Sequence, residues 1–139
     1  LKKKIRTRKQ LLGTIYDNAK ARVEGRGSRE RSRHIYEGLE IMEKEDFIAY
    51  GLENPIFNRL YDNWIATDCN IRFIPSPDRL DPKEGYVPWN IEWVVFSENC
   101  RRGWKTGHAK GMKLDQALEK FRYETSRFLN RISEIKIEY

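Results

Sequence analysis

A chain of 139 residues is enough for one hydrophobic core and too short for two, so a single domain spanning 1–139 is expected. With 39% hydrophobic and 35% charged residues it can fold but must carry a strongly ionic surface. No run approaches the roughly 20 apolar residues that cross a bilayer, and the basic start lacks the apolar stretch of a signal peptide, so the reading is a soluble cytoplasmic protein with no membrane partner.

Residues 5–24 carry Leu11, Leu12, Ile15, Tyr16, Ala19 and Val23 at spacings of three and four, the stripe of an amphipathic helix. Residues 25–33 have two glycines and no periodicity. They read as a basic loop, which is either a plain linker or a segment that orders on a nucleic-acid backbone through Arg26 and Arg29. His34 to Met42 alternates as a short strand or extended lead-in, and Phe47, Ile48, Tyr50 and Leu52 follow a helical pattern. Asn54-Pro55 breaks the chain, and Pro55 suits the first position of a helix whose apolar face is Ile56, Phe57, Leu60, Tyr61 and Trp64.

Ile71-Arg72-Phe73-Ile74 alternates and ends at Pro75-Ser76-Pro77, the pattern of a short strand entering a rigid turn. After the turn-forming Lys83-Glu84-Gly85, the β-rich run 90–96 opens onto Ser97, a candidate N-cap for a short helix through Arg102. The order is strand, loop, strand, helix. A glycine-punctuated basic arm, 104–113, leads to a stripe of Leu114, Ala117, Leu118, Phe121, Thr125, Phe128, Leu129, Ile132 and Ile135. That stripe predicts one long helix, packed on its own domain or on a second copy as a coiled coil; its own domain is favoured, and a homodimer through this helix stays open.

The fold class expected is therefore α+β. A basic N-terminal helix and loop occupy 1–33 and a helical region 34–70. A strand-loop-strand-helix unit with its basic arm occupies 71–113, and a C-terminal helix 114–139.

The net charge of +6 is segregated along this plan. Residues 1–33 hold 12 Lys and Arg against 3 acids, 34–100 hold 5 against 13, and 101–113 hold 5 against none. Basic blocks on an acidic body suit phosphate-backbone binding, because each neutralised phosphate releases counterions. Cys69 and Cys100 read as free thiols, and neither lies in a metal-binding spacing with His34 or His108.

A phosphodiester-cleaving metal site needs oxygen ligands for a hard cation, an activated water and cationic groups on the flanking backbone. The segments Pro75-Ser76-Pro77-Asp78-Arg79-Leu80-Asp81-Pro82, Gly85-Tyr86, Asn90-Ile91-Glu92-Trp93-Val94 and Ser97-Glu98-Asn99 resemble those of HNH (ββα-metal) endonucleases of a group frequent in bacteriophage genomes. The resemblance implies a DNA endonuclease or nickase that uses one Mg²⁺ or Mn²⁺ held by Asp78 and Asn99, with Asn90 bonding backbone across the loop. Arg79 stands where the family has its general-base histidine, and a guanidinium cannot accept a proton at neutral pH. Three readings follow. Asp81 serves as base, or the metal-bound water ionises with little help while Arg79 clamps phosphate; His108 swings in from the arm; or cleavage is lost and an inactive DNA-binding protein remains. Arg101, Arg102, Lys105, Lys110 and Lys113 are the expected grip on DNA, mainly through phosphates.

Overall fold

A computed structural model of the protein describes residues 4–26, 33–103 and 114–134. Helix α1 (Arg8–Val23) opens with a capping box, in which the Thr7 hydroxyl accepts from the Gln10 N–H and the Gln10 side chain accepts from the Thr7 N–H. Its stripe buries Leu11, Leu12, Tyr16, Ala19 and Val23, as the three-and-four spacing predicts. A single helical turn, α2 (Arg33–Tyr36), follows, and then an extended stretch whose Ile41 bridges to Tyr86. The alternation over 34–42 thus becomes one turn of helix plus one isolated bridge rather than a continuous strand.

Helix α3 (Lys44–Glu53) crosses α1 closely at Gly51, where an added Cβ would meet the Leu12 methyls. Asn54 ends α3 and caps α4 (Pro55–Ala66): its side-chain oxygen accepts from the N–H groups of Ile56 at 2.9 Å and Phe57 at 3.1 Å. Pro55 takes the first helical position, where its missing donor costs nothing.

Residues Ile71–Phe73 form a 3-10 turn, and the first strand is β1 (Pro75–Arg79), four residues later than the apolar alternation suggests. It pairs antiparallel with β2 (Ile91–Val95), which runs straight into α5 (Phe96–Gly103). Ser97 therefore lies inside the first turn of α5 and is not its cap. Helix α6 (Leu114–Ser133) completes the described residues.

The result is an α+β fold: helices around a two-stranded antiparallel ribbon. A chain of tilted aromatic rings joins the layers, Tyr16 to Phe47 at 5.5 Å, Phe47 to Trp93 at 6.0 Å and Trp93 to Phe57 at 4.9 Å. The Tyr16 hydroxyl, buried by this packing, donates to the Met42 carbonyl at 2.8 Å. Among the described residues no helix is long and apolar enough to cross a membrane. Cys69 and Cys100 are both free thiols.

Candidate functional site

Two prolines in a five-residue strand are tolerated because of where their missing donors fall. Leu80 N–H donates to the Asn90 carbonyl and Phe96 N–H to the Ile74 carbonyl, so even-numbered residues of β1 turn their backbone groups toward β2. Pro75 and Pro77 are odd-numbered and turn theirs to the open edge, where no ladder bond is lost. The same parity sorts the side chains. Pro75 and Pro77, opposite Val95 and Trp93, face the core; Ser76 and Asp78, opposite Val94 and Glu92, face α5.

On that α5 face the candidate site residues meet. Asn99 Nδ2 donates to the Ser76 hydroxyl at 2.7 Å, which ties the helix to the strand one pleat away from Asp78. Arg102 Nη1 lies 3.0 Å from Asp78 Oδ2 and 2.8 Å from Glu92 Oε2, and its Nε lies 3.2 Å from Glu98 Oε1. One guanidinium thus serves three carboxylates. These bonds, the one to Asp78 foremost, hold Arg102 above the ordinary arginine range. Arg101 grips Glu98 with both its Nε and Nη2, and this pairing above all pulls the Glu98 carboxyl down to about 2.

The loop between the strands is closed by Asn90, which is 2% exposed. Its Oδ1 accepts from Asp81 N–H at 2.8 Å, and its Nδ2 donates to the carbonyls of Asp81 at 3.0 Å and Gly85 at 2.9 Å. Every hydrogen-bonding direction of the amide but one acceptor lone pair is used. Arg79 lies on the opposite side of the strand from Asp78. Its Nη1 donates to the carbonyls of Pro82 at 2.8 Å and Glu84 at 3.1 Å, and its guanidinium stacks 4.5 Å from the Tyr36 ring centre and 5.7 Å from that of Tyr86. The Asp81 carboxylate accepts from Lys83 N–H at 2.9 Å, the bond of a turn-forming aspartate. Asp81 and Arg79 are thus both engaged in shaping the loop.

Asp78, Asn99 and Arg102 are brought together, whereas Arg79, Asp81 and Asn90 belong to the loop on the other side. Of the expected DNA contacts, Arg101 and Arg102 are engaged by carboxylates, and Arg26 pairs with Glu24 at the end of α1. Arg29, Lys105, Lys110, Lys113 and His108 lie outside the described residues. Ser76, Glu92 and Glu98 complete the cluster and were missed by the motif reading. Glu98 was legible, since it precedes Arg101 and Arg102 by three and four residues on one helix. Glu92 was legible as the one acid in an apolar strand, but its facing partner requires the register.

Among the described residues no group of three or more His, Cys, Asp and Glu is placed to hold a metal ion. The oxygens on the α5 face, three carboxylates and one amide, are of the type a hard divalent cation prefers. Comparison of the chain with protein-family models, curated proteins and solved structures finds no match.

Proposed function

We propose that the protein is a divalent-metal-dependent DNA endonuclease or nickase of HNH type that hydrolyses phosphodiester bonds. The observation that supports it best is the gathering of Asp78, Glu92 and Asn99 on one face of a strand-turn-strand-helix unit whose loop is clasped by Asn90. Asp78 and Asn99 are the residues that would hold Mg²⁺ or Mn²⁺, with oxygen donors of the type such an ion prefers, once Arg102 gives way. Bound there, the ion would polarise the phosphate and lower the pKa of a water.

The protein's own groups then divide the work. Glu92, partly exposed beside Asp78, is the carboxylate placed on the α5 face to take a proton from the attacking water, whereas Arg79, always protonated, cannot and Asp81 lies on the loop beyond β1. Arg102, released from its carboxylates, offers a planar fork to phosphate oxygens, with Arg101 one residue away on the exposed side of α5. Arg79 and Asn90 keep the loop rigid so that the end of β1 does not shift. In this reading the protein works in the cytoplasm.

A second reading, a catalytically inactive HNH-like DNA-binding protein, is favoured by one observation. Arg102 already bridges Asp78 and Glu92 from within the chain and offsets part of their charge, which is what a scaffold without its metal would need. Supercoiled plasmid incubated with Mg²⁺ or Mn²⁺ separates the two. Relaxed or linear product from the parent and not from an Asp78→Ala, Asn99→Ala double variant is expected. Intact plasmid together with a retained gel shift would favour the second reading, and intact plasmid without any shift would remove both.

A further inference from the structure

Helix α6 has two working faces. Tyr123 packs 5.4 Å from the Trp89 ring centre, the Lys120 ammonium lies 5.4 Å from the same centre, and Arg127 pairs with Glu40 at 3.3 Å. This face joins α6 to the body through the turn Pro88–Asn90. The apolar stripe is elsewhere. Leu114, Leu118, Phe121, Thr125, Phe128 and Ile132 follow one another at four, three, four, three and four residues, the seam of a coiled coil. In that heptad Lys120, Tyr123 and Arg127 fall at the back of the helix, so body contact and seam do not compete.

The helix thus packs on its own domain, as expected, but through the face opposite its apolar stripe. Leu114 is 77% exposed, Phe121 67%, Phe128 61% and Leu118 52%. An apolar surface of this length on a single helix is uncommon on a monomer and marks an interface.

We infer that this seam docks against the same helix of a second copy, the two running antiparallel, and that the protein is a homodimer held by α6. A strict four-three repeat is the pattern that specifies a helix as partner, and a narrow seam is matched by another narrow seam. The stripe is also complementary to itself when reversed. Centred on residue 123, the antiparallel register sets Leu114 against Ile132, Leu118 against Phe128 and Phe121 against Thr125. Each phenylalanine meets a smaller side chain. A parallel pairing would stack phenylalanine on phenylalanine twice and threonine on threonine, leaving crowded and empty layers in alternation. Antiparallel helices also place opposite dipole ends together. Six layers of this kind bury on the order of 1,200 Å² across both copies, the lower bound for a stable interface.

Sedimentation or light scattering on the full chain tests the inference. The parent should run at twice the mass of one chain, while Phe128→Glu and, independently, Leu118→Glu should run at the mass of one. Both variants should keep the parent's far-ultraviolet circular dichroism, because both side chains are more than half exposed in the protomer. Orientation is read by mixing Leu118→Cys and Phe128→Cys chains in which Cys69 and Cys100 are serine: the antiparallel seam gives a disulfide dimer in the mixture and not from either chain alone. A monomeric parent, a dimer that survives both glutamate substitutions, or disulfides formed by each cysteine variant alone would overturn the proposal.

Discussion

Asn90 shows how one side chain sets the shape of a loop. Its amide replaces three backbone bonds that an eight-residue excursion between β1 and the turn at Pro88 has no ladder to make. Asn90→Ala would leave the Asp81 N–H and the carbonyls of Asp81 and Gly85 without that partner in a site water does not reach freely. A loss of about 2–3 kcal/mol in unfolding free energy is expected, read as a lower urea midpoint. An unchanged midpoint would mean that the loop finds other partners. Asn90 was singled out from sequence because it stood in a recognisable motif. Arg79 was noticed for the wrong feature. Its inability to act as a base was legible from residue type, but its bonds to Pro82 and Glu84 depend on a turn conformation that no spacing reveals.

At the level of elements, β1, β2 and α5 are held in one unit by charge as much as by packing. Glu98 bonds both arginines of α5, and Arg102 carries the link across to Asp78 and Glu92 on the two strands. The sign of its pH dependence follows from the direction of the Glu98 shift. The folded chain keeps this carboxyl ionised down to about 2, whereas unfolded it takes up a proton near 4.5. Its stabilising contribution is therefore present in full above 4.5 and is lost as pH falls from there through about 2. Acid titration followed by the Glu98 carboxyl resonance should give a midpoint near 2, and Glu98→Gln should flatten stability over that window; a midpoint near 4.5 would contradict the paired geometry.

The helices α1, α3, α4 and α6 were readable because their apolar period is local, as are the caps of α1 and α4. The first strand was not, since the alternation of Ile71 to Ile74 mimics a strand while Pro75-Ser76-Pro77 mimics a turn. Only the pairing with β2, a contact sixteen or more residues away in sequence, makes an edge position acceptable for those prolines.

For the molecule as a whole, the aromatic packing that joins the strands and α5 to the helical body is reinforced by a bridge of a few backbone atoms. Tyr86 N–H donates to the Glu40 carbonyl at 2.9 Å, and Met42 N–H returns the bond to Tyr86 at 3.2 Å. Gly85 makes that approach possible: a Cβ there would stand 1.6 Å from the Glu40 carbonyl oxygen. Gly85→Ala must push the two strands of chain apart, and a loss of about 3 kcal/mol or more is expected in thermal or urea unfolding. Wild-type stability in that variant would mean the bridge is not part of the folded state. The α+β class was legible from the order of helical and β-rich segments, whereas this bridge was not, because residues 40–42 carry no motif.

Arg102 has a consequence for how the surface looks to an approaching polyanion. Asp78, Glu92 and Glu98 would otherwise form a field of three negative charges on the face of α5, one that repels phosphate before any contact is made. With one guanidinium shared among them and Arg101 at the rim, the face carries little net charge at long range. Its selectivity is then for whatever can trade places with an arginine at close quarters, and salt in solution screens that exchange far less than it screens encounter.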